Sequence, residues 1–331
     1  MGSRSLSLVV IAAIGLSAGS VCAAEAPLVL ERIIPLDNVT GRIDHMAVDI
    51  TGKRMFVAEL ANNSVDVVDL QSGTVAGRID GLKEPQGVAY VPGQNLLVVA
   101  NGGDGSVRFF RAADLSPLGS IPLGEDADNI RIDPTTGRLL VGYGSGGLAV
   151  IDAASRSTIA SIKLAGHPES FQIDLKTNRA FVNVPDEHEI AVVDLGARRQ
   201  VAAWKVTDVG GNFPMALAGP SGPLAVVFRS PATLVLLDPA TGAVTQRLDT
   251  CRDADDVFFD GNRDRLYVSC GDGSVAVMAR NAQGFRPAGH IPTSAGARTS
   301  LFVADLDRLF VAARAGSQKS KAALLVFRPI P

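Results

Sequence analysis

Short apolar segments separated by polar turns recur along the chain with a period of roughly 40 residues. In the first copy, an apolar segment at residues 46–49 is followed by a turn at Gly52 and a second apolar segment at residues 55–58. A third segment, Ser64–Asp69, and a fourth, Thr74–Ile79, complete the unit. Segments of this length, bounded by Gly, Asn and Asp turns, indicate β-strands. Four short strands per repeat predict the blade of a β-propeller.

The unit occurs seven times, and its copies align on the turn that follows each first strand. The six later first strands start near residues 87, 130, 171, 215, 257 and 301. One blade cannot bury both faces of its sheet, whereas seven blades in a ring can. The sequence therefore predicts an all-β fold, a seven-bladed β-propeller of four-stranded antiparallel blades, as one domain over residues 25–331. An all-β sandwich is the alternative, and the constant period disfavours it.

The seventh copy has only three strands, the last of them at residues 322–327. A spare apolar strand precedes the first copy, at residues 29–36. We expect this strand to become the outer strand of the last blade, because closing the ring in this way leaves fewer unpaired strand edges. Its side chains Leu30, Ile33 and Ile34 are expected to be buried there.

Residues 1–24 have the features of a secretory signal peptide, with Arg4 at the positive start, an apolar stretch and a cleavage site expected after Ala24. A lipoprotein signal would use Cys22 as the acylated residue, but Val21 is too bulky for that processing pattern. No later apolar run is long enough to span a bilayer. The mature protein is therefore expected to be exported, to the periplasm or the extracellular space.

The charge of the chain limits the choice of partner. It has 31 basic and 34 acidic residues and a formal net charge of −3. No stripe of Lys and Arg appears, so the charge does not indicate nucleic-acid binding. The expected partner is a small molecule or a protein, and the chain is expected to be a monomer.

Two cysteines remain once the signal peptide is removed. Cys251 precedes the first strand of the sixth copy, and Cys270 ends its second strand, so an antiparallel hairpin brings both to one face of the ring. In an oxidising compartment this placement predicts a disulfide bond. Two free thiols are the alternative. The spacing of the cysteines is not that of a zinc site.

Four motifs carry a family resemblance: the strand Met46–Asp49, the strand Ser64–Asp69, the Pro-Thr-Thr-Gly-Arg turn at residues 134–138 and the Asp-Pro-Ala-Thr-Gly turn at residues 238–242. From about residue 28 onward the chain resembles the YVTN-type propellers, the YncE-like family of exported bacterial proteins. This resemblance implies a propeller fold. It leaves the function open, because relatives include lactone hydrolases, lyases, quinoprotein-related proteins and binding scaffolds.

The segments that lead into the blades carry polar residues, and in a propeller such segments surround the mouth of the central channel. Superposing the copies predicts one ring that consists of Asp44, Pro85, Asp128, Glu169, Phe213, Asp255 and Ser300. One residue later a second ring consists of His45, Gln86, Asn129, Ser170, Pro214, Asp256 and Leu301. Arg42, His167 and Arg298 flank these rings in the sequence. The candidate ligand-binding residues are Arg42, Asp44, His45, Gln86, Asp128, Asn129, His167, Glu169, Asp255, Asp256 and Arg298.

Carboxylate and amide oxygens suit a divalent cation such as Ca²⁺ or Mg²⁺, and this is the only cofactor that the ring suggests. The alternative is structural: the acids cap backbone amides and pair with Arg42 or Arg298. His45 stands beside Asp44 and is either one half of an acid–base pair or a structural histidine.

The chain has no Gly-x-Ser-x-Gly, His-Glu-x-x-His or Cys-x-x-Cys-His motif. We therefore expect an exported binding scaffold that holds a small molecule or a protein at the channel mouth, with no evident catalysis of its own. A metal-assisted lactone hydrolase or lyase, with His45 as acid or base on the acidic ring, is the alternative. An accessory role in periplasmic redox or metal handling is a third hypothesis.

Overall fold

The computed structural model describes residues 1–2, 26–316 and 321–331. In this part of the chain the strands form seven antiparallel sheets of four strands each. From the first strand to the end of blade three they are β1 (Leu28–Leu36), β2 (Met46–Asp49), β3 (Arg54–Glu59), β4 (Ser64–Asp69), β5 (Thr74–Ile79), β6 (Pro85–Val91), β7 (Leu96–Asn101), β8 (Ser106–Arg111), β9 (Pro117–Pro122), β10 (Ala127–Ile132), β11 (Leu139–Tyr143), β12 (Gly147–Asp152) and β13 (Ser157–Lys163).

Blades four to seven continue with β14 (Phe171–Asp174), β15 (Arg179–Val184), β16 (Glu189–Asp194), β17 (Arg199–Lys205), β18 (Gly210–Leu217), β19 (Leu224–Ser230), β20 (Ala232–Leu237), β21 (Val244–Asp249), β22 (Ala254–Asp260), β23 (Arg265–Cys270), β24 (Ser274–Asn281), β25 (Gly284–Pro292), β26 (Ser300–Val303), β27 (Arg308–Ala313) and β28 (Ala322–Pro329). Short 3-10 turns occupy Leu60–Asn62, Pro92–Gln94, Pro185–Glu187 and Ala304–Leu306. The predicted seven-bladed propeller is confirmed.

The apolar segments become strands because neighbouring blades cover both of their faces. In β3 every residue after Arg54 is buried, whereas in the outer strand β5 only Ile79 is buried. The core lies between blades rather than within them. Val98 of blade two and Val141 of blade three, for example, belong to one buried cluster. The inner strands therefore need continuous apolar sequence, and the outer strands do not.

Closure of the ring by the N-terminal strand is confirmed. β1 pairs antiparallel with β28, from Leu28 opposite Pro329 to Leu36 opposite Ala322. The last blade thus takes three strands from the end of the chain and its outer strand from the beginning. No other blade joins two such distant segments.

The expected burial of Leu30 and Ile33 was wrong, since their side chains are 45% and 57% exposed. Leu28, Ile34 and Leu36 provide the buried contacts instead. A β-bulge after Leu30 shifts the pairing register, and with it the set of side chains that faces the core.

An Asp ends the third strand of blades one, three and four and follows that of blade five, and this repeated Asp is structural. Asp69 Oδ1 accepts hydrogen bonds from the backbone amides of Gln71 and Ser72, at 2.8 and 2.7 Å. The same arrangement recurs in later blades at Asp152, Asp194 and Asp238. An Asp carboxylate that accepts a backbone amide hydrogen bond stabilises a tight turn. These acids therefore belong to the fold and lie away from the channel mouth.

The predicted disulfide between Cys251 and Cys270 is confirmed, with their Cα atoms 5.8 Å apart. It ties the segment before β22 to the end of β23 in blade six. Residues 3–24 of the predicted signal peptide lie outside the described residues. Within the described ranges we find no helix with the length and hydropathy of a membrane span.

Candidate functional site

The register of the blade hairpins defines the ring of side chains at the channel mouth. In every blade the partners at the centre of the first hairpin are separated by eleven residues, from Met46 and Val57 in blade one to Ser300 and Val311 in blade seven. In each blade we take the residue two positions before the first-strand partner, and we call these seven residues the mouth ring. It consists of Asp44, Gln86, Asp128, Glu169, Phe213, Asp255 and Arg298.

Two positions of the predicted ring were therefore wrong. Blade two contributes Gln86 rather than Pro85, and blade seven contributes Arg298 rather than Ser300. Neither Gln86 nor Arg298 is acidic, so the sequence offered no acid by which to align these two copies. The four acids were placed correctly. The corrected ring has four acids, one arginine, one amide and one aromatic side chain.

The acids of blades six and one are paired with arginines. Asp255 forms ion pairs with Arg229 and with Arg298, the latter at 3.1 Å between Oδ2 and Nε. Asp44 Oδ2 lies 2.8 Å from Nη2 of Arg42. We call Asp44, Asp255 and Arg298, together with their partners, the paired half of the mouth ring.

Two further contacts hold the paired half. Arg298 Nη1 donates a hydrogen bond of 2.8 Å to Asp253 Oδ1. The Arg229 guanidinium stacks on the Phe213 ring, with Cζ 3.6 Å from the ring centroid. The arginine of blade five is therefore fixed from two sides, by an aromatic face and by the carboxylate of Asp255.

Asp128 and Glu169, from blades three and four, have no such partners. Among the described residues, no Lys or Arg lies within ion-pair distance of either carboxylate, and nothing donates a hydrogen bond to the Glu169 side chain. Asp128 is only 5% exposed, and its Oδ1 is buried without a hydrogen-bond partner. We call Asp128, Glu169 and the adjoining His167 the unpaired half of the mouth ring.

Two histidines flank Asp128. His45 Nε2 lies 3.6 Å from Asp44 Oδ1 and 3.9 Å from Asp128 Oδ1, both longer than a hydrogen bond. His167 Nδ1 is 2.6 Å from the backbone oxygen of Gly144, which fixes the ring. The structure thus brings both predicted histidines to the unpaired acids.

Two other candidates, Asn129 and Asp256, lie beside the ring, and a third, Gln86, belongs to it. Asn129 is buried, and its Oδ1 has no hydrogen-bond partner. Asp256 Oδ2 accepts a hydrogen bond of 2.7 Å from the Ser300 amide, so its role includes holding blade seven. Gln86 donates to Asp126 Oδ1 at 2.8 Å.

The buried acids hold their protons more tightly than acids in water. Burial, with the charge of Glu169, raises the pKa of Asp128 to about 8. Burial, with the charge of Asp255, raises the pKa of Glu169 to about 7. Burial also raises the pKa of Asp44, although His45 and Arg42 oppose the shift. Nearby positive charge therefore does not offset the effect of burial, and the pKa of each of these carboxyl groups stays above its usual value.

Sequence reasoning missed Arg131, which lines a cavity of about 390 Å³ inside the channel. Its guanidinium donates to the Ile130 oxygen at 2.9 Å and lies 5.6 Å from the Phe171 ring centroid. Burial lowers its pKa, while the charges of Asp256 and Asp128 oppose that shift. The sequence did contain a signal for Arg131. It is a charged residue in the middle of a first strand, where blades one and five have Ala47 and Ala216.

Comparison with solved structures shows the fold. The chain is similar to a chain of the hydrazine synthase of Kuenenia stuttgartiensis, with a TM-score of 0.75, 17% identity and coverage of 95% of this chain and 99% of that chain. It is also similar to a chain of the mitotic checkpoint complex (TM-score 0.78, 15% identity, 100% of both chains). A third similar structure is that of the RRP9 WD40 repeats (TM-score 0.76, 11% identity, 92% of this chain and 99% of that chain).

At these identities the likeness extends to the propeller fold and no further. No protein-family model matches the chain, and no curated protein matches it. The fold is that of a scaffold on which other proteins build binding surfaces. The particular ligand has to be argued from the channel mouth itself.

Proposed function

We propose that this chain is an exported propeller of the YVTN type that binds a positively charged ligand at the mouth of its central channel. The observation that carries the proposal is the unpaired half of the mouth ring. Among the described residues, no lysine or arginine lies within ion-pair distance of Asp128 or Glu169, whereas the other two ring acids each form an ion pair with an arginine. A buried acid without a cationic partner costs free energy, which a bound cation offsets.

The size of the recess supports a small charged group. The cavity among the mouth residues, which include Asp128, Asn129 and Glu169, has a volume of about 10 Å³. That is the space of a single water-sized particle. An ion or an ammonium group fits this recess, and a bulky head group does not.

Export is supported by the disulfide of blade six, because such bonds persist in oxidising compartments. The signal-like sequence of residues 1–24 agrees with it. Determining the N-terminus of the mature protein tests this part. A start at Glu25 is expected, and a cytoplasmic product that retains Met1 would contradict it.

The enzyme alternative has less geometric support. His45 Nε2 is 3.6 Å from Asp44 Oδ1, so the two do not form a hydrogen-bonded acid–base pair. Binding requires only the unpaired carboxylates, which are already in place. The binding role therefore has the better support.

Thermal unfolding with a panel of ligands tests the proposal. The panel contains inorganic cations, small amines such as putrescine, and matched anions. A cation is expected to raise Tm of the wild type, because it binds the folded chain alone. Glu169→Gln should abolish the shift. Glu125→Gln removes an exposed acid from the same side of the molecule and should leave it unchanged. No shift with any cation, or an equal shift with anions, would overturn the proposal.

A further inference from the structure

We propose that Asp128, His167 and Glu169 form a site for a divalent transition metal ion of the Zn²⁺ and Co²⁺ class. This inference rests on the proposed function and names the ligand of the same site. The three residues come from adjacent blades, Asp128 from β10 of blade three and the other two from the segment before β14 of blade four. The Glu169 amide donates a hydrogen bond of 2.9 Å to the Asn183 oxygen, which ties this segment to β15.

The distances between the ligand atoms of the three side chains fit a site in which small side-chain movements bring them to the ion. One ligand atom from each of the three side chains lies within 4.8 Å of the other two. In a tetrahedral site with bonds near 2.0–2.1 Å, ligand atoms are about 3.3 Å apart. Side-chain rotations that bring the atoms together by about 1.5 Å therefore complete the site, and the backbone stays in place.

A second observation, independent of the clustering, points to a ligand. Asp128 is 95% buried, being 5% exposed, yet its Oδ1 atom has no hydrogen-bond partner. Buried carboxylate oxygens normally accept hydrogen bonds. The neighbouring Asn129 Oδ1 is also buried without a partner. Asp44 Oδ2, at the same recess, also accepts no hydrogen bond, but it has Arg42 Nη2 at 2.8 Å. The oxygen atoms of Asp128 and Asn129 have no such partner, and a metal ion would take up their unused lone pairs.

His167 is set up as a metal ligand. Its Nδ1 lies 2.6 Å from the Gly144 carbonyl oxygen, so Nδ1 carries the hydrogen and donates it. This hydrogen bond leaves the lone pair on Nε2. Metal-binding histidines commonly have their second nitrogen held by a backbone carbonyl in this way, which fixes both the tautomer and the ring orientation.

The ligand set distinguishes a transition metal from Ca²⁺ and Mg²⁺, the ions that the acids alone suggest. Ca²⁺ takes six to eight oxygen ligands, and Mg²⁺ prefers an octahedron of oxygens. The imidazole nitrogen instead favours a transition metal, and three protein ligands are the number that catalytic zinc sites use. His45, with Nε2 3.9 Å from Asp128 Oδ1, is a candidate for a fourth position. Glu169 and His167 are half-buried, so solvent reaches the site.

Titration of the tag-free, chelator-treated mature protein with Co²⁺ tests the proposal. We expect one Co²⁺ per chain, visible absorption bands of a four- or five-coordinate ion, and displacement by Zn²⁺ but not by millimolar Ca²⁺ or Mg²⁺. His167→Gln and Asp128→Asn should each weaken the affinity about tenfold or more. His290→Gln removes an exposed histidine of β25 and should not change it. Tm of each metal-free variant shows that it is folded.

Each other outcome overturns the metal site. Binding without visible bands, or with Ca²⁺ displacing Co²⁺, would indicate an oxygen-only site. Unchanged affinity in His167→Gln would remove the histidine from the site. If amines stabilise the wild type while Co²⁺ and Zn²⁺ do not bind, the metal inference fails and the proposed cation-binding function stands. If no cation of either kind binds, both fail.

Discussion

The two halves of the mouth ring differ in what surrounds chemically similar acids. Asp44 and Asp128 occupy equivalent positions in blades one and three and are 1% and 5% exposed. Asp44 has Arg42 at 2.8 Å, whereas Asp128 has within 4 Å only the imidazole of His45, at 3.9 Å, among the described basic side chains. One acid has a cationic partner within the protein, and we propose that the other takes its partner from solution. A residue's role at this mouth therefore follows from its partners rather than from its type or its position in the repeat.

The largest expected effect concerns the paired half, which the disulfide supports. The Cys251–Cys270 bond closes a loop with a sequence separation of 19 residues. On the chain-entropy model, replacing both cysteines by serine lowers the free energy of unfolding by about 3 kcal/mol. Urea unfolding measures it. The Co²⁺ affinity of the unpaired half, two blades away, should stay unchanged, and a parallel loss would show that the two halves are not separate.

The second effect follows from removing an acid of the paired half. Asp255→Asn leaves Arg229 and Arg298 without their shared carboxylate. We expect a loss of about 2 kcal/mol in the free energy of unfolding, because both guanidinium groups stay partly buried. Asp253→Asn, whose side chain is more exposed, is the matched control and should cost less. Equal stability of Asp255→Asn and the wild type would mean that the arginines need no partner.

The third effect has the opposite sign. Asp128→Asn removes the unpaired charge and should stabilise the metal-free protein at pH 8. The pKa of Asp128 in the folded chain is raised to about 8, while in the unfolded chain it is near 3.8. As pH rises between these values, the unfolded chain releases the proton first, so the stability of the wild type falls. The variant should lack this fall, and its advantage should grow by up to about 1.4 kcal/mol per pH unit between pH 5 and pH 8.

Urea unfolding at the two pH values, with a chelator present, measures the difference. The titratable and charged groups around Asp128 are the same in both proteins, namely Asp44, His45, His167, Glu169, Arg42 and Arg131. Asp255→Asn serves as the comparison from the paired half. If Asp128→Asn destabilises the protein at pH 8 as Asp255→Asn does, the distinction between the halves is wrong.

The fold could be predicted from the sequence because most blades consist of segments that are consecutive in the chain. Strand order, closure by β1 and the disulfide all followed from the repeat. Which acids of the mouth ring have an arginine partner did not follow from the repeat. Arg229 and Arg298, which neutralise Asp255, come from blades five and seven, so their contacts with it exist only once these neighbouring blades have packed against blade six. Asp128 and Asp255 look alike in the repeat, and only the positions of these distant partners distinguish them.

The pairing of β1 with β28 also fixes the order in which the molecule is built. Blades one to six consist of consecutive strands, so each can form soon after its own segment is made. The seventh cannot, because Leu28 must find Pro329 at the other end of the sequence. β1 is synthesised first and acquires its partner last. The proposed cation site, whose residues come from blades three and four, can form before the ring closes.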